Sequence, residues 1–250
     1  MIETFDVRTP DGAAAAARYS GTGGSALVFV HGVGSTAAIW DRQILAFGDG
    51  HRAYAIELRG NGVPKPEPDP SLITRSGYAR DVLAVCDRAG IDRFTIVGCS
   101  LGGVVAFELW GCAPQRIASM VIVGSFAAYP NGNAYAQSVE AAVREAGDME
   151  TFAHVRAAKL GLPPERMRET VEQMAVKTVD SYLAATQATW TGDYTSMLGT
   201  IDVPVLVTRG ERDGIAPPAL SQVIVDGIPR ARLALVPSAG HVANADNPAA

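Results

Sequence analysis

Cysteine is scarce in this chain, three in 250 residues at Cys86, Cys99 and Cys112. An odd number, without a CxxC pair or a histidine cluster beside it, offers neither a disulfide framework nor a zinc site. The three are expected as reduced, mostly buried thiols, and neither a metal nor any other cofactor is expected. Charge of one sign is also missing: 21 Lys and Arg against 26 Asp and Glu leave a net charge of −5. No basic run stands out locally, which argues against a nucleic-acid partner. Long apolar runs are absent too. A stretch such as Ala26–Val30 is strand-sized, so no membrane span is expected. The first ten residues lack the basic and apolar regions of a secretory signal. These absences predict a cytoplasmic protein that touches neither membrane nor nucleic acid, as a monomer or homodimer. What is plentiful is core material, 48% hydrophobic residues against 19% charged, enough for a sizeable buried interior.

Along the chain, strand-like and helix-like segments alternate. Thr4–Thr9 leads through Pro10-Asp11-Gly12 into a second strand at Ala17–Ser20, a hairpin pattern. Ala26–Val30 reads as a strand buried on both faces. A helix is expected over Ala37–Phe47, a strand over Arg52–Leu58, and a stiff extended loop over Asn61–Pro70, where prolines fall at every second position from Pro64. Helical periodicity covers Gly77–Ala89, followed by a strand at Phe94–Val97, a helix at Leu101–Trp110 and a strand at Ile117–Val123. From Pro130 to about Tyr194 the composition turns helical without strand-like runs. Strands resume at Val203–Thr208 and Arg232–Val236, with a helix at Pro217–Asp226 between them. Such alternation predicts a mostly parallel central sheet flanked by helices. The helical stretch is too long for one crossover, so the expected division is a core of 1–127 and 197–250 with a helical cap of 128–196.

Gly98-Cys99-Ser100-Leu101-Gly102-Gly103 lies where a strand turns into a helix. G-x-S-x-G in that context forms a nucleophile elbow, a tight turn that lifts the serine hydroxyl above the sheet. A base and an orienting acid should follow in the order Ser, Asp or Glu, His. His241, just after the last strand, and Asp213, just after the strand before it, both fall at carboxyl ends of parallel strands, where α/β sheets place ligands. Glu211 lies too early, His51 sits at the wrong sheet edge, and His154 belongs to the cap. His31-Gly32-Val33-Gly34 follows a buried strand; its expected contribution is the Val33 N–H, paired with that of Leu101, as an oxyanion hole. His31 itself is expected to hold the loop's path.

Together with Arg59-Gly60-Asn61-Gly62, these motifs resemble the α/β-hydrolase superfamily over nearly the whole chain. Gly192-Asp193-Tyr194, the run Ile201–Leu206, and Ala79–Ala84 are similar to 3-oxoadipate enol-lactonases. That resemblance implies the α/β-hydrolase fold and cofactor-free Ser-His-Asp opening of a small enol-lactone. It departs from the family at Glu57 and Asn61, where Asp and His are usual. The family also continues past Asn247-Pro248 into a further helix, so either the chain is trimmed or the sheet edge is less covered.

The expected activity is therefore carboxylic-ester or lactone hydrolysis on a small-molecule substrate. C–C bond hydrolysis on the same scaffold, or a ligand-binding protein with a weak triad, are the alternatives. Candidate pocket residues are Gly32, Phe126, Met149, Phe152, Trp190 and Val242, with Leu160, Met167 and Met174 from the cap. A substrate carboxylate would need a cation, available from Arg59, Arg144, Arg156, Lys159 or Lys177.

Overall fold

Unbroken apolar segments can only be strands if both of their faces are covered, and the segment Ala26–Val30, almost wholly buried, lies inside the sheet. The computed structural model describes residues 1–61, 66–159, 162 and 164–250. Its eight strands are β1 (Glu3–Arg8), β2 (Ala14–Ser20), β3 (Ala26–Val30), β4 (Arg52–Glu57), β5 (Phe94–Cys99), β6 (Ile117–Val123), β7 (Val205–Gly210) and β8 (Ala231–Val236). They form one sheet in the order β1-β2-β4-β3-β5-β6-β7-β8. β1 and β2 pair antiparallel, as do β2 and β4, and every later pairing is parallel.

The helices are α1 (Asp41–Phe47), α2 (Arg75–Arg88), α3 (Leu101–Cys112), α4 (Gly132–Ala146), α5 (Met149–Lys159), α6 (Pro164–Ala175), α7 (Val179–Trp190), α8 (Pro218–Gly227) and the short α9 (Ala243–Asp246). The larger core packs α2, α3 and α8 on one face of the sheet through residues such as Val82, Val104, Phe107 and Ile224. On the other face Trp40, Ile44 and Ala243 cover Phe29, Val97 and Val123. Helices α4 to α7 lie between β6 and β7 and share a small core of Val143, Phe152, Met174 and Tyr182. They also join the main core, because Ala136, Ala185, Ala188 and Trp190 pack into it. β8 closes the sheet at its far edge and leaves Leu233 41% and Leu235 53% exposed.

β2 begins at Ala14 rather than Ala17, and two further elements differ for reasons the contacts show. The helix over Ala37–Phe47 is divided into a 3-10 turn, Ala37–Trp40, and α1. The turn is held by tertiary contacts: the Ala37 N–H donates to Glu57 Oε2 (2.8 Å), and Trp40 is buried against Phe29. β7 begins at Val205 rather than Val203, because Pro204 has no N–H for the ladder and offers only its carbonyl, to the Met120 N–H. Cys86 and Cys99 are buried free thiols and Cys112 is an exposed one. Of the proline loop, residues 62–65 lie outside the described residues, as does Leu160. No described helix is long and apolar enough to cross a membrane.

Candidate active site

β5 lies inside the sheet between β3 and β6, so whatever its carboxyl end carries is held from both sides. Ser100 stands there with φ 53° and ψ −113°. A non-glycine residue in that region is strained and persists only where its surroundings impose it. Here the turn is so tight that a Cβ at Gly98 would meet the Gly102 carbonyl at 2.2 Å, and one at Gly102 would meet the Val30 carbonyl at the same distance. The Ser100 N–H donates to Val123 O (2.9 Å), and Ser125 Oγ donates to Ser100 O (2.7 Å). Ser100 precedes α3 but its side chain makes no capping bond, which leaves Oγ uncommitted to the helix.

Asp213 and His241 arrive from the ends of β7 and β8. His241 Nδ1 lies 3.0 Å from both carboxylate oxygens of Asp213. The Ile215 and Ala216 N–H groups donate to Asp213 Oδ1 at 2.9 and 3.0 Å. Burial works to raise the Asp213 pKa, but His241 and the two backbone donors outweigh it and hold the carboxyl below its ordinary value. An ionised Asp213 accepts from Nδ1–H and leaves Nε2 as the basic nitrogen. The serine and this pair share a wall at Val123-Gly124. Val123 binds the Ser100 N–H, and a Cβ on Gly124 would stand 3.1 Å from Asp213 Oδ2 and 3.4 Å from His241 Nδ1. Among the described residues no hydrogen bond joins Ser100 Oγ to His241. Such bonds are often long in unliganded sites. In the sequence Gly124 and Ser125 stand out only as the acid-free end of β6; the fold brings them against Ser100, Asp213 and His241.

The loop after β3 runs beside the serine: a Cβ on Gly32 would lie 3.2 Å from Ser100 Cβ. His31 is fully buried, with Nδ1 2.9 Å from Gly32 O and Nε2 accepting from the Leu58 N–H at 3.3 Å. Nε2 also faces Glu57 Oε1 at 3.3 Å, and these contacts give His31 a structural task. Leu101 opens α3, so its N–H is among those a helix leaves without an internal partner.

A cavity of about 400 Å³ is lined by His241, Val242 and Gly240 from the β8 end, Val33 to Ser35 from the β3 loop, and Arg156, Leu162, Arg166 and Met174 from the insertion. Of the expected pocket residues, Val242 and Met174 line it, and Gly32 abuts Ser100. Five others do not line it. Phe126 and Trp190 stack on each other at 5.2 Å in a buried aromatic cluster with Tyr129. Met149 and Phe152 fill the core of the insertion, where Phe152 meets Tyr182 edge-on, and Met167 packs beside them. Sequence spacing marks a residue for burial without distinguishing a core from a lining.

The candidate cations divide in the same way. Arg59 is fully buried and bound to Asp81 and Asp11. Arg144 pairs with Glu140 on the surface, and Lys177 is buried against backbone carbonyls. The Lys159 side chain lies outside the described residues. Arg156 reaches the cavity, near the Tyr182 and Tyr135 hydroxyls. Arg166 reaches it as well but is engaged with Glu169 and Asp246.

Comparison with known proteins agrees with this architecture. The 3-oxoadipate enol-lactonase 2 of Acinetobacter baylyi is 26% identical over 90% of this chain and 85% of its own length. A protein assigned as the carbamate hydrolase RutD of Variovorax paradoxus is 29% identical, over 87% of this chain and 85% of its own. The crystal structure of a hydrolase from Pseudomonas aeruginosa superposes with a TM-score of 0.87 at 28% identity, covering 98% of this chain and 94% of that one. The sequence profile of the alpha/beta hydrolase fold matches residues 25–248, and with the strand order and the elbow described above, the chain belongs to that family.

Proposed function

We propose that this hydrolase opens a small lactone or ester with Ser100 as nucleophile, His241 as general base and Asp213 as its orienting acid. The observation that carries the reading is the His241–Asp213 pair, with Nδ1 3.0 Å from both carboxylate oxygens, sharing a backbone wall with a serine at φ 53°. Ser100 Oγ attacks the carbonyl carbon while its proton passes to His241 Nε2, and the tetrahedral oxyanion is received by the Val33 and Leu101 N–H groups. Collapse breaks the C–O bond, the leaving oxygen takes the proton from His241, and an acyl-enzyme remains. Water then repeats the attack, gives its proton to His241 and releases the acid, with Ser100 reprotonated. The insertion, residues 128–196, acts as a cap that keeps bulk water from these charges.

A fluorophosphonate probe, which reacts with an activated serine, tests the assignment. It should label the wild type at Ser100 and leave Ser100→Ala unlabelled, and the same variant should lose turnover of an activated ester while keeping its melting temperature. A Ser100→Ala protein that hydrolyses the ester at the wild-type rate removes the nucleophile. An unlabelled wild type that still binds a lactone favours a ligand-binding protein.

The substrate is proposed to carry a carboxylate, received by Arg156. That side chain lines the same cavity as His241, and among the described residues no carboxylate is paired with it. The enol-lactonase relative is consistent with this choice. Lactones and esters compared with and without a carboxylate should differ in kcat/KM by more than roughly tenfold in favour of the anion, the value of a charge-assisted contact of about 1.5–3 kcal/mol. Arg156→Gln should erase that preference and spare the neutral member of each pair. Equal rates in the wild type leave a general ester or lactone hydrolase.

A further inference from the structure

Lys177 is a buried cation that the proposed chemistry does not use. It is 5% exposed and lies in the turn between α6 and α7. Its Nζ donates to Gln173 O in the last turn of α6 (2.8 Å) and to Asn61 O just beyond β4 (3.3 Å). The segment it closes rests on the loop that carries Val33. Ser35 Oγ donates to Gln173 Oε1 (2.7 Å), and Met174 presses so close to Gly34 that a Cβ there would lie 3.3 Å from Met174 Cγ. Beneath the loop, the Gly32 carbonyl takes the Ser35 N–H (3.1 Å) and lies 2.9 Å from His31 Nδ1. The loop is therefore gripped from two sides.

We propose that Lys177 is a positioning residue: by joining the end of α6 to the Asn61 carbonyl, it seats the insertion on residues 32–35 and sets the Val33 N–H for the developing oxyanion. The role rests on the serine-hydrolase reading of that loop. An ammonium suits the task because it bonds two carbonyls from separate elements at once, and charge-assisted bonds are the stronger kind. A methionine would fill the same space but leave both carbonyls with a partner lost. Burial pushes the Lys177 pKa down to about 8, against the attraction of Glu57 at the end of β4 and Glu67 in the loop beyond it. Glu57 in turn lies 3.3 Å from His31 Nε2. As pH rises through about 8 the ammonium loses its charge, and the grip on the loop should weaken.

Wild type and Lys177→Met are compared with an activated ester from pH 6 to 10, and by amide hydrogen exchange over residues 32–36. The proposal expects kcat to fall about ten- to a hundredfold with KM within about twofold, since a displaced oxyanion donor acts on the transition state. It also expects the decline of wild-type kcat near pH 8 to vanish in the variant, and exchange at residues 32–36 to quicken. If Lys177→Met does not fold, Ser35→Ala, which deletes the bond to Gln173, should show the same faster exchange with a smaller loss of kcat. Wild-type kcat, pH profile and exchange in a folded Lys177→Met overturn the proposal, as does unchanged exchange in Ser35→Ala. Failure of the hydrolase reading looks different: the wild type would neither react with a fluorophosphonate nor turn over the ester. The oxyanion role would then fall with it, and exchange would still decide whether Lys177 holds the loop.

Discussion

At the scale of single residues, Asp213 serves three neighbours with one carboxylate. Its Oδ1 accepts from the Ile215 and Ala216 N–H groups, and both oxygens face His241 Nδ1. An asparagine can keep the backbone bonds through its carbonyl oxygen, but its NH2 then confronts Nδ1. The imidazole is forced to carry its proton on Nε2, where it cannot accept the serine proton. Asp213→Asn should therefore lower kcat by about 10³- to 10⁴-fold and barely change the melting temperature. A loss under roughly tenfold would send the acid role elsewhere. Glu211 and Asp246 already hold the Ser238 and Gly240 N–H groups at 2.9 and 3.0 Å. The candidate triad was legible in the sequence because its three residues sit in short turns after strands, where spacing and chemistry coincide. Arg156 was not singled out, since only folding shows which cations escape pairing.

At the scale of elements, Arg59 shows why. Leaving β4, its guanidinium binds Asp81 of α2, Asp11 in the β1–β2 turn and the Leu72 carbonyl. It thus ties the antiparallel hairpin to the first long helix. Its sequence neighbours reveal nothing of this, because Asp11 lies 48 residues away. Arg59→Met should cost roughly 3–5 kcal/mol in urea unfolding, since it strands the Asp81 carboxylate, itself fully buried, without its partner. The double variant Arg59→Met/Asp81→Asn should recover part of that loss. Hydrogen bonding from Arg59, ahead of the other causes, holds the Asp11 carboxyl well below the usual carboxylate range. This contribution is complete above the ordinary aspartate pKa and disappears as pH falls through the lowered one. Element positions were legible to within a few residues wherever apolar period and turn signals agreed, as at β3 and β6. They slipped where a tertiary partner intervened, as Glu57 does at Ala37.

At the scale of the whole molecule, the parallel order of the sheet was implied by the alternation of strands and helices, and the antiparallel start by the Pro-Asp-Gly turn. The insertion was legible as helical but not as a contributor to the main core, which it joins through Trp190 and its neighbours. The sheet also distributes the candidate triad unevenly. Ser100 hangs from β5, enclosed by neighbours on both sides, whereas Asp213 and His241 hang from β7 and from β8, the outermost strand, whose Leu233 and Leu235 face solvent. Edges of a structure open at lower free energy than its interior. On warming, then, the acid and base should drift from the serine while most of the sheet is still intact. Ester turnover would fade some degrees before the circular dichroism signal does, and cooling would restore it as long as the interior had not yet melted.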